Sequence, residues 1–394
     1  MKVFDEIVRH DASEQGNSES FAVFLNRVKG EYWDQVRVVI ERWLLRFPAG
    51  DRKDIRSRIR DKNTDRNVHA ALWELYLHEM LLGLGYEVEC HPSVAGTSRK
   101  PDFLAVGNGH SFYVEACRVF DRDAGTPVRN VKGVVLDAIN NLGVSEIFLA
   151  VNIERAGSGA PPIRAMKRDI LTWVTGLDVD EINAYKIGGN DRRGSPSMVW
   201  RRDDWVVYIH ALPRSQKSRE RASGGTLGVI MEGFRISDDV RPILVALKGK
   251  GSAYGKFDRP YLVAVGTDSW SYSEEDMEHA LYGAMHEAGE FDENKVWRSW
   301  EVRGEDGFWG GPLNPRYTGV VGVLAVHACH PWNWADRTPT YWGNPFAVGS
   351  IPVPNCWRNV SFLNGAVALN EATEPARLSL GLPSPWPLGE PFAR

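Results

Sequence analysis

Asp102 and Glu115 are the residues in this 394-residue chain best placed to do chemistry. Asp102 heads an apolar run, Arg99-Lys-Pro-Asp-Phe-Leu-Ala-Val106, and Glu115 sits inside a second, Phe112-Tyr-Val-Glu-Ala-Cys-Arg-Val119. Strand side chains alternate faces, so Asp102, Leu104 and Val106 share one side of the first run. Tyr113, Glu115 and Cys117 share one side of the second. A hairpin closed at Gly107-Asn108-Gly109 brings the two carboxylates to one point. A carboxylate in an apolar strand is costly to bury, and a hard divalent cation is a common compensation.

The elements that must position this pair surround it. Residues 66–84 carry Trp73, Leu77, Met80, Leu81 and Leu84 as one helical stripe, with Gly85 where a C-terminal cap belongs. Glu74 falls on the border of that stripe with His78 one turn on, and Glu79 is expected to face water. A strand over 86–91 and the Gly96-Thr97-Ser98 loop lead into the hairpin. Residues 128–142 then form a helix carrying Lys132 and Asp137, and 146–153 a short apolar strand. Helix, three strands, helix, strand is an α/β layer arrangement.

Glu74 on the leading helix, Pro101-Asp102 on the second strand and Glu115-Ala116-Cys117 on the third resemble the PD-(D/E)XK, or restriction-endonuclease-like, nuclease superfamily. The resemblance covers residues 66–155 and extends to the element order, implying an α-β-β-β-α-β core with a mixed sheet. It implies that Asp102 and Glu115 bind Mg²⁺ or Mn²⁺, that the Ala116 carbonyl adds a ligand, and that Glu74 assists through the metal or its water. The departure is Cys117, where the family pattern has a lysine on the same strand face. A mostly neutral thiol cannot supply that charge, and Arg118 points to the other face. Lys100, Lys132, Lys248 and Lys250 are candidate replacements, with Lys100 and Lys132 taken first. Otherwise the metal suffices alone, or the core has lost catalysis.

The rest of the chain is expected to frame this core. One or two amphipathic helices are read over 18–47, and a basic one over 51–62 is a solvated face or a phosphate-contacting arm. Later elements are a helix over 161–176, a polar loop or boundary over 188–196, strands over 205–212, 260–266 and 320–327, and helices over 238–254 and 274–286. Residues 290–318 have no clear period, and the proline-rich tail is expected to wrap the surface. This gives an N-terminal helical segment over 1–64, a nuclease-like core over 65–180 and a mixed α/β region over 181–394.

Composition limits the alternatives. A net charge of −4 gives no global attraction to nucleic acid, and 15 Trp suit packing of a large C-terminal part better than base stacking. Cys90, Cys117, Cys329 and Cys356 form no Cys-x-x-Cys pair, which fits a reducing cytoplasm. No run is apolar enough to span a membrane. The stretch Lys248-Gly-Lys250-Gly-Ser-Ala-Tyr-Gly255 lacks P-loop spacing and reads as a helix C-terminus or a basic lobe. His327-Ala-Cys329-His330 reads as packing rather than zinc ligation, and so does His78. The loop with Arg214, Lys217, Arg219 and Arg221 is solvated or contacts DNA. Cys117 as a nucleophile needs a base, with only His78 or His110 at hand.

The expectation is therefore a cytoplasmic, metal-dependent endonuclease acting on nucleic acid, with DNA favoured over RNA, in restriction of foreign DNA, phage defence or repair. The alternative is a catalytically inactive nuclease fold serving as a nucleic-acid-binding or scaffold module. No membrane partner is expected, and a homodimer is compatible with the sequence.

Overall fold

The computed structural model describes residues 1–120, 127–184, 195–219, 225–230, 240–252, 257–268, 272–291, 293–363 and 366–392. Arg221, residues 188–194 of the 188–196 stretch and both ends of the 238–254 helix lie outside them. The chain divides into two compact units, one of residues 1–13, 21–124 and 238–394, the other of residues 14–20 and 125–237.

The first unit opens with four helices: α1 (Phe21–Arg27), α2 (Glu31–Arg46), α3 (Arg52–Ile59) and α4 (Asp65–Gly83). Strands β1 (Glu87–Cys90), β2 (Phe103–Gly107) and β3 (His110–Val119) follow. The second unit holds α5 (Pro127–Asn140), β4 (Ile147–Arg155), α6 (Ile163–Thr175), α7 (Val179–Ala184), β5 (Ser197–Arg202), β6 (Trp205–Pro213), α8 (Gln216–Arg219) and β7 (Leu227–Ile230). The first unit resumes with α9 (Val240–Gly251), β8 (Tyr261–Thr267), α10 (Glu274–Tyr282) and a ribbon of β9 (Met285–Phe291) with β10 (Trp297–Arg303). After the short pair β11 (Gly310–Gly311) and β12 (Asn314–Pro315) come β13 (Val320–Val326), β14 (Thr340–Gly343), β15 (Arg358–Leu363) and β16 (Ala366–Asn370).

One mixed sheet, ordered β1-β2-β3-β8-β13-β14-β15-β16, organises the first unit. β1, β2 and β3 form an antiparallel meander, and β8 joins β3 in parallel. Alternation along these strands feeds two cores. Val114, Leu262 and Ala264 pack with Trp73 and Leu77 of α4, while Tyr113, Cys117, Val263 and Val265 pack with Ile243 and Leu247 of α9 and Leu281 of α10. The result is three layers, helix–sheet–helix.

This arrangement corrects the contiguous reading of residues 66–155. The helix and strand read over 128–142 and 146–153 form as α5 and β4, but β4 belongs to the second unit's sheet, ordered β5-β6-β4-β7. The helix covering β3 is α9 and the strand parallel to it is β8, both far downstream. A parallel neighbour needs a crossover connection, and here that connection contains most of a separate unit. In the second unit, β4 and β6 pack against α5 and α6 through Val135, Ile139, Leu149, Ile170 and Ile209. Asp137 accepts the backbone N–H groups of Asn17 and Ser18 at 2.7 and 2.9 Å, tying residues 14–20 to α5.

Other expectations also change. Helix α4 is buried on nearly every side from Val68 to Leu81, because α2 and α3 cover the face turned away from the sheet. Glu79 is therefore buried, with Arg46 Nη1 2.7 Å away. α10 stops at Tyr282, where Gly283 takes φ +94°, and the chain turns into the β9–β10 ribbon, which occupies much of the span without a clear period. β5 carries a strand that had no expectation. The tail does not merely wrap the surface: β14, β15 and β16 extend the main sheet, and Trp334, Trp357 and Trp386 enter its core. Trp43, Trp73, Trp309 and Trp334 are fully buried, and truncating any of them should cost about 3–5 kcal/mol. No helix among the described residues is long and apolar enough to cross a membrane.

Candidate active-site cleft

The hairpin sets the position of both carboxylates. Asn108 and Gly109 take φ values of +53° and +77°, giving the two-residue turn whose twist suits an antiparallel pair. The register pairs Phe103 with Val114, so Asp102 lies opposite Glu115 and Pro101 opposite Ala116. Proline has no N–H to return to the Ala116 carbonyl, so the ladder stops there. The Ala116 N–H turns instead to Asp102 Oδ2 at 2.7 Å. Burial, then the nearby charges of Glu115 and Glu74, push the Asp102 carboxyl up to about 8, with the Ala116 amide and Lys250 pulling partly back.

Lys250 comes from the last turn of α9. Its Nζ donates to Glu115 Oε1 at 2.5 Å, and Glu115 is 3% exposed. Burial works against the Lys250 ammonium, yet Glu115 and Asp102 hold its pKa above the ordinary lysine value. Together with Arg99, Lys100, Glu115, Cys117 and its α9 neighbours Val245, Ala246 and Gly249, Lys250 lines a cleft of about 520 Å³. Of the four lysines considered, Lys250 reaches the Glu115 carboxylate, Lys100 stands exposed at the rim, Lys248 does not line the cleft, and Lys132 lies on α5 of the second unit. Ile243, Leu247 and Lys250 follow the i, i+4, i+7 spacing of one helix face, the signal in the sequence that Lys250 is turned inward.

Cys117 also lines the cleft, on the same face as Glu115. Burial pushes its thiol up to about 12, and Glu115 and Asp102 oppose the thiolate further against the pull of Lys250. It is a neutral packing group, which argues against a nucleophilic role. His78 is buried against Phe47, with ring centroids 4.6 Å apart, as a packing residue.

Glu74 is held by a two-point clamp: Arg58 Nη1 and Nη2 donate to its carboxylate at 2.7 and 2.5 Å. The basic helix α3 thus has an inward purpose beyond a solvated face. Glu74 acts on Asp102 through its charge, but Glu74, Asp102 and Glu115 do not draw together into a tight three-ligand cluster. The group of that kind found among the described residues is His69, Asp268 and His330.

The donor set of the cleft fits a hard divalent cation. Asp102 and Glu115 supply carboxylate oxygens, and the raised Asp102 carboxyl marks excess negative charge in a desolvated place. Mg²⁺ or Mn²⁺ could be held by these groups. Comparison of the chain with protein-family models, curated proteins and solved structures found no match.

Proposed function

We propose that the protein is a divalent-metal-dependent nuclease in which Asp102 and Glu115 hold the metal and Lys250 takes the part of the lysine absent at position 117. The observation that carries this reading is the 2.5 Å contact of Lys250 with Glu115, opposite Asp102, in an open cleft. A meander followed by a parallel strand, with helices on both faces, is what the restriction-endonuclease-like resemblance would lead one to expect.

A bound Mg²⁺ or Mn²⁺ would supply an acidified water and charge neutralisation for the phosphoryl oxygens. The chain's own residues do the rest. Asp102 is pinned through Oδ2 by the Ala116 amide, and Oδ1 is the oxygen it would offer a metal. Lys250 carries a fixed positive charge into a place where a phosphodiester transition state gains negative charge, and charge stabilisation of this kind is often the largest catalytic contribution. Arg99 and Lys100 at the mouth offer cations to the phosphate backbone, a local attraction that the overall charge lacks. DNA is the proposed substrate.

One observation favours the alternative of a non-catalytic binding module: Glu74 and Glu115 are each paired with a basic side chain. Cleavage of supercoiled plasmid and single-stranded DNA in Mg²⁺ or Mn²⁺ separates the readings, with Asp102→Asn and Glu115→Gln as controls. Metal-dependent cleavage lost in both variants supports the nuclease. DNA binding without cleavage by the wild type would sink it.

A further inference from the structure

We propose that His69, Asp268 and His330 form a transition-metal site, best suited to Zn²⁺, separate from the Asp102–Glu115 cleft. The three residues come from the first turns of α4, the residue after β8 and the loop after β13. Their ligand atoms all lie within 4.8 Å of one another, and all three side chains are largely buried.

The hydrogen bonding at His330 is the central point. Its Nε2 lies 3.1 Å from the backbone carbonyl oxygen of Asp268, which can only accept, so Nε2 carries the proton. Nδ1 of the neutral ring is then a bare lone pair. It is buried, has no hydrogen-bond partner, and lies 3.9 Å from Asp268 Oδ1. A lone pair aimed at a carboxylate oxygen is an unfavourable pairing that a cation between them turns into a favourable one. His69 Nδ1 approaches the same oxygen at 3.7 Å, also beyond hydrogen-bond reach. Zinc ligands at about 2.0–2.1 Å stand about 3.4 Å apart in a tetrahedron, so each histidine must draw toward Asp268 by about half an ångström or less, and the two imidazoles, within 4.8 Å of each other, by at most about 1.4 Å.

Its surroundings hold the ligands in place, as metal sites require. His69 stacks on Phe21 and His330 on Trp332, with centroids 5.0 and 4.4 Å apart. The His330 loop is fixed by Ala328 N–H to Thr267 Oγ1 and by Asn333, whose side chain bonds the Ala328 carbonyl and accepts the His330 N–H. Arg118 Nη2 donates to Asp268 Oδ1 at 3.1 Å and to the Cys329 carbonyl at 2.8 Å. Gly266 makes room for that guanidinium, since a Cβ there would sit 2.8 Å from Arg118 Nη1. A carboxylate has about four acceptor positions, so Arg118 orients Asp268 and leaves others for an ion. Two imidazoles and one carboxylate select zinc or a neighbouring transition ion over Mg²⁺, which prefers oxygen. The site would clamp α4 to the ends of β8 and β13.

The test uses the full chain, loaded with Zn²⁺ or Co²⁺ and desalted, with metal content and the visible Co²⁺ spectrum as readouts. About one equivalent per chain is expected, together with Co²⁺ ligand-field bands and a Tm that falls when the metal is chelated. His330→Gln and Asp268→Asn should lose the metal, while Asp102→Asn should keep it. Circular dichroism of each variant shows whether it has folded, and the wild-type spectrum does not depend on any variant. No retained metal in the wild type, or retention undiminished in a folded His330→Gln, overturns the proposal. The cluster would then be a metal-free cage for Arg118.

Discussion

Replacing Lys250 by methionine keeps the length of the side chain and removes its charge. Nζ lies 2.5 Å from Glu115 Oε1, with the two side chains 37% and 4% exposed. At an effective dielectric constant of about 20 the bare attraction is about 6–7 kcal/mol. Desolvation of both groups and the solvent screening of a lysine more than one-third exposed reduce this to about 1–3 kcal/mol net. Metal-free Lys250→Met should therefore melt several degrees below the wild type in EDTA. Excess Mg²⁺ should narrow that gap, because a cation beside Glu115 replaces the missing charge. Cleavage should behave differently: single-turnover rates in saturating Mg²⁺ should fall about 10²–10³-fold, with a much smaller change in DNA affinity. A purely structural ion pair would lose stability and keep the rate. Cleavage within about threefold of the wild type, by a folded Lys250→Met in saturating Mg²⁺, would refute the catalytic assignment. Adding Cys117→Lys supplies a lysine from the strand into the same cleft, and the double variant should recover part of the lost rate.

Asp102 gives a pH signature in metal-free protein. Its carboxyl moves from the ordinary 3.8 to about 8, so between those values the folded chain binds more protons than the unfolded chain and stability falls as pH rises. Denaturation in EDTA should show a decline of a few kcal/mol across this window, fully developed above about pH 8, and Asp102→Asn should flatten it. A wild-type profile that rises over the same range would contradict the buried-carboxylate argument. Cys117, held protonated with a pKa pushed up to about 12, should resist iodoacetamide in the folded protein at pH 8, and Cys117→Ser should cleave DNA within a few-fold of the wild type. Rapid alkylation that tracks loss of cleavage would restore the thiol-enzyme reading. Glu74→Gln removes the charge clamped by Arg58 and should cost about 1–3 kcal/mol in thermal or chemical denaturation, with a lower cleavage rate; an unchanged Tm would show that the clamp contributes little.

The hairpin was legible because its signals are local. Period-two alternation fixed the faces, Asn108-Gly109 fixed the turn, and together they set Asp102 opposite Glu115. Helix α4 was legible from its apolar stripe, and α5 and α9 were also read as helices. Partnership between distant elements was not legible. β4 reads as a buried strand equally well in either sheet, since a strand's composition reports burial and not its neighbour. Glu79 was misplaced because helix periodicity assumes one wet face, whereas α2 and α3 cover α4. His330 was read within its own tetrapeptide, while its neighbours His69 and Asp268 lie far away in sequence.

The same limit explains Lys250. A motif written along one strand asks for its cation two residues after Glu115, because alternate residues share a face. The chemistry asks only for a positive charge near Glu115 and Asp102. Helix α9 packs over the face of β3 that presents Glu115 and Cys117, and a long lysine on its last turn reaches the carboxylate from above. A cysteine at position 117 then suits the space beneath α9, where a second lysine would bury another charge beside Lys250. On the proposed reading, the cysteine at position 117 and the inward turn of Lys250 belong to one arrangement. The double variant tests that link: if Cys117→Lys restores cleavage to Lys250→Met, the two positions serve a single catalytic charge.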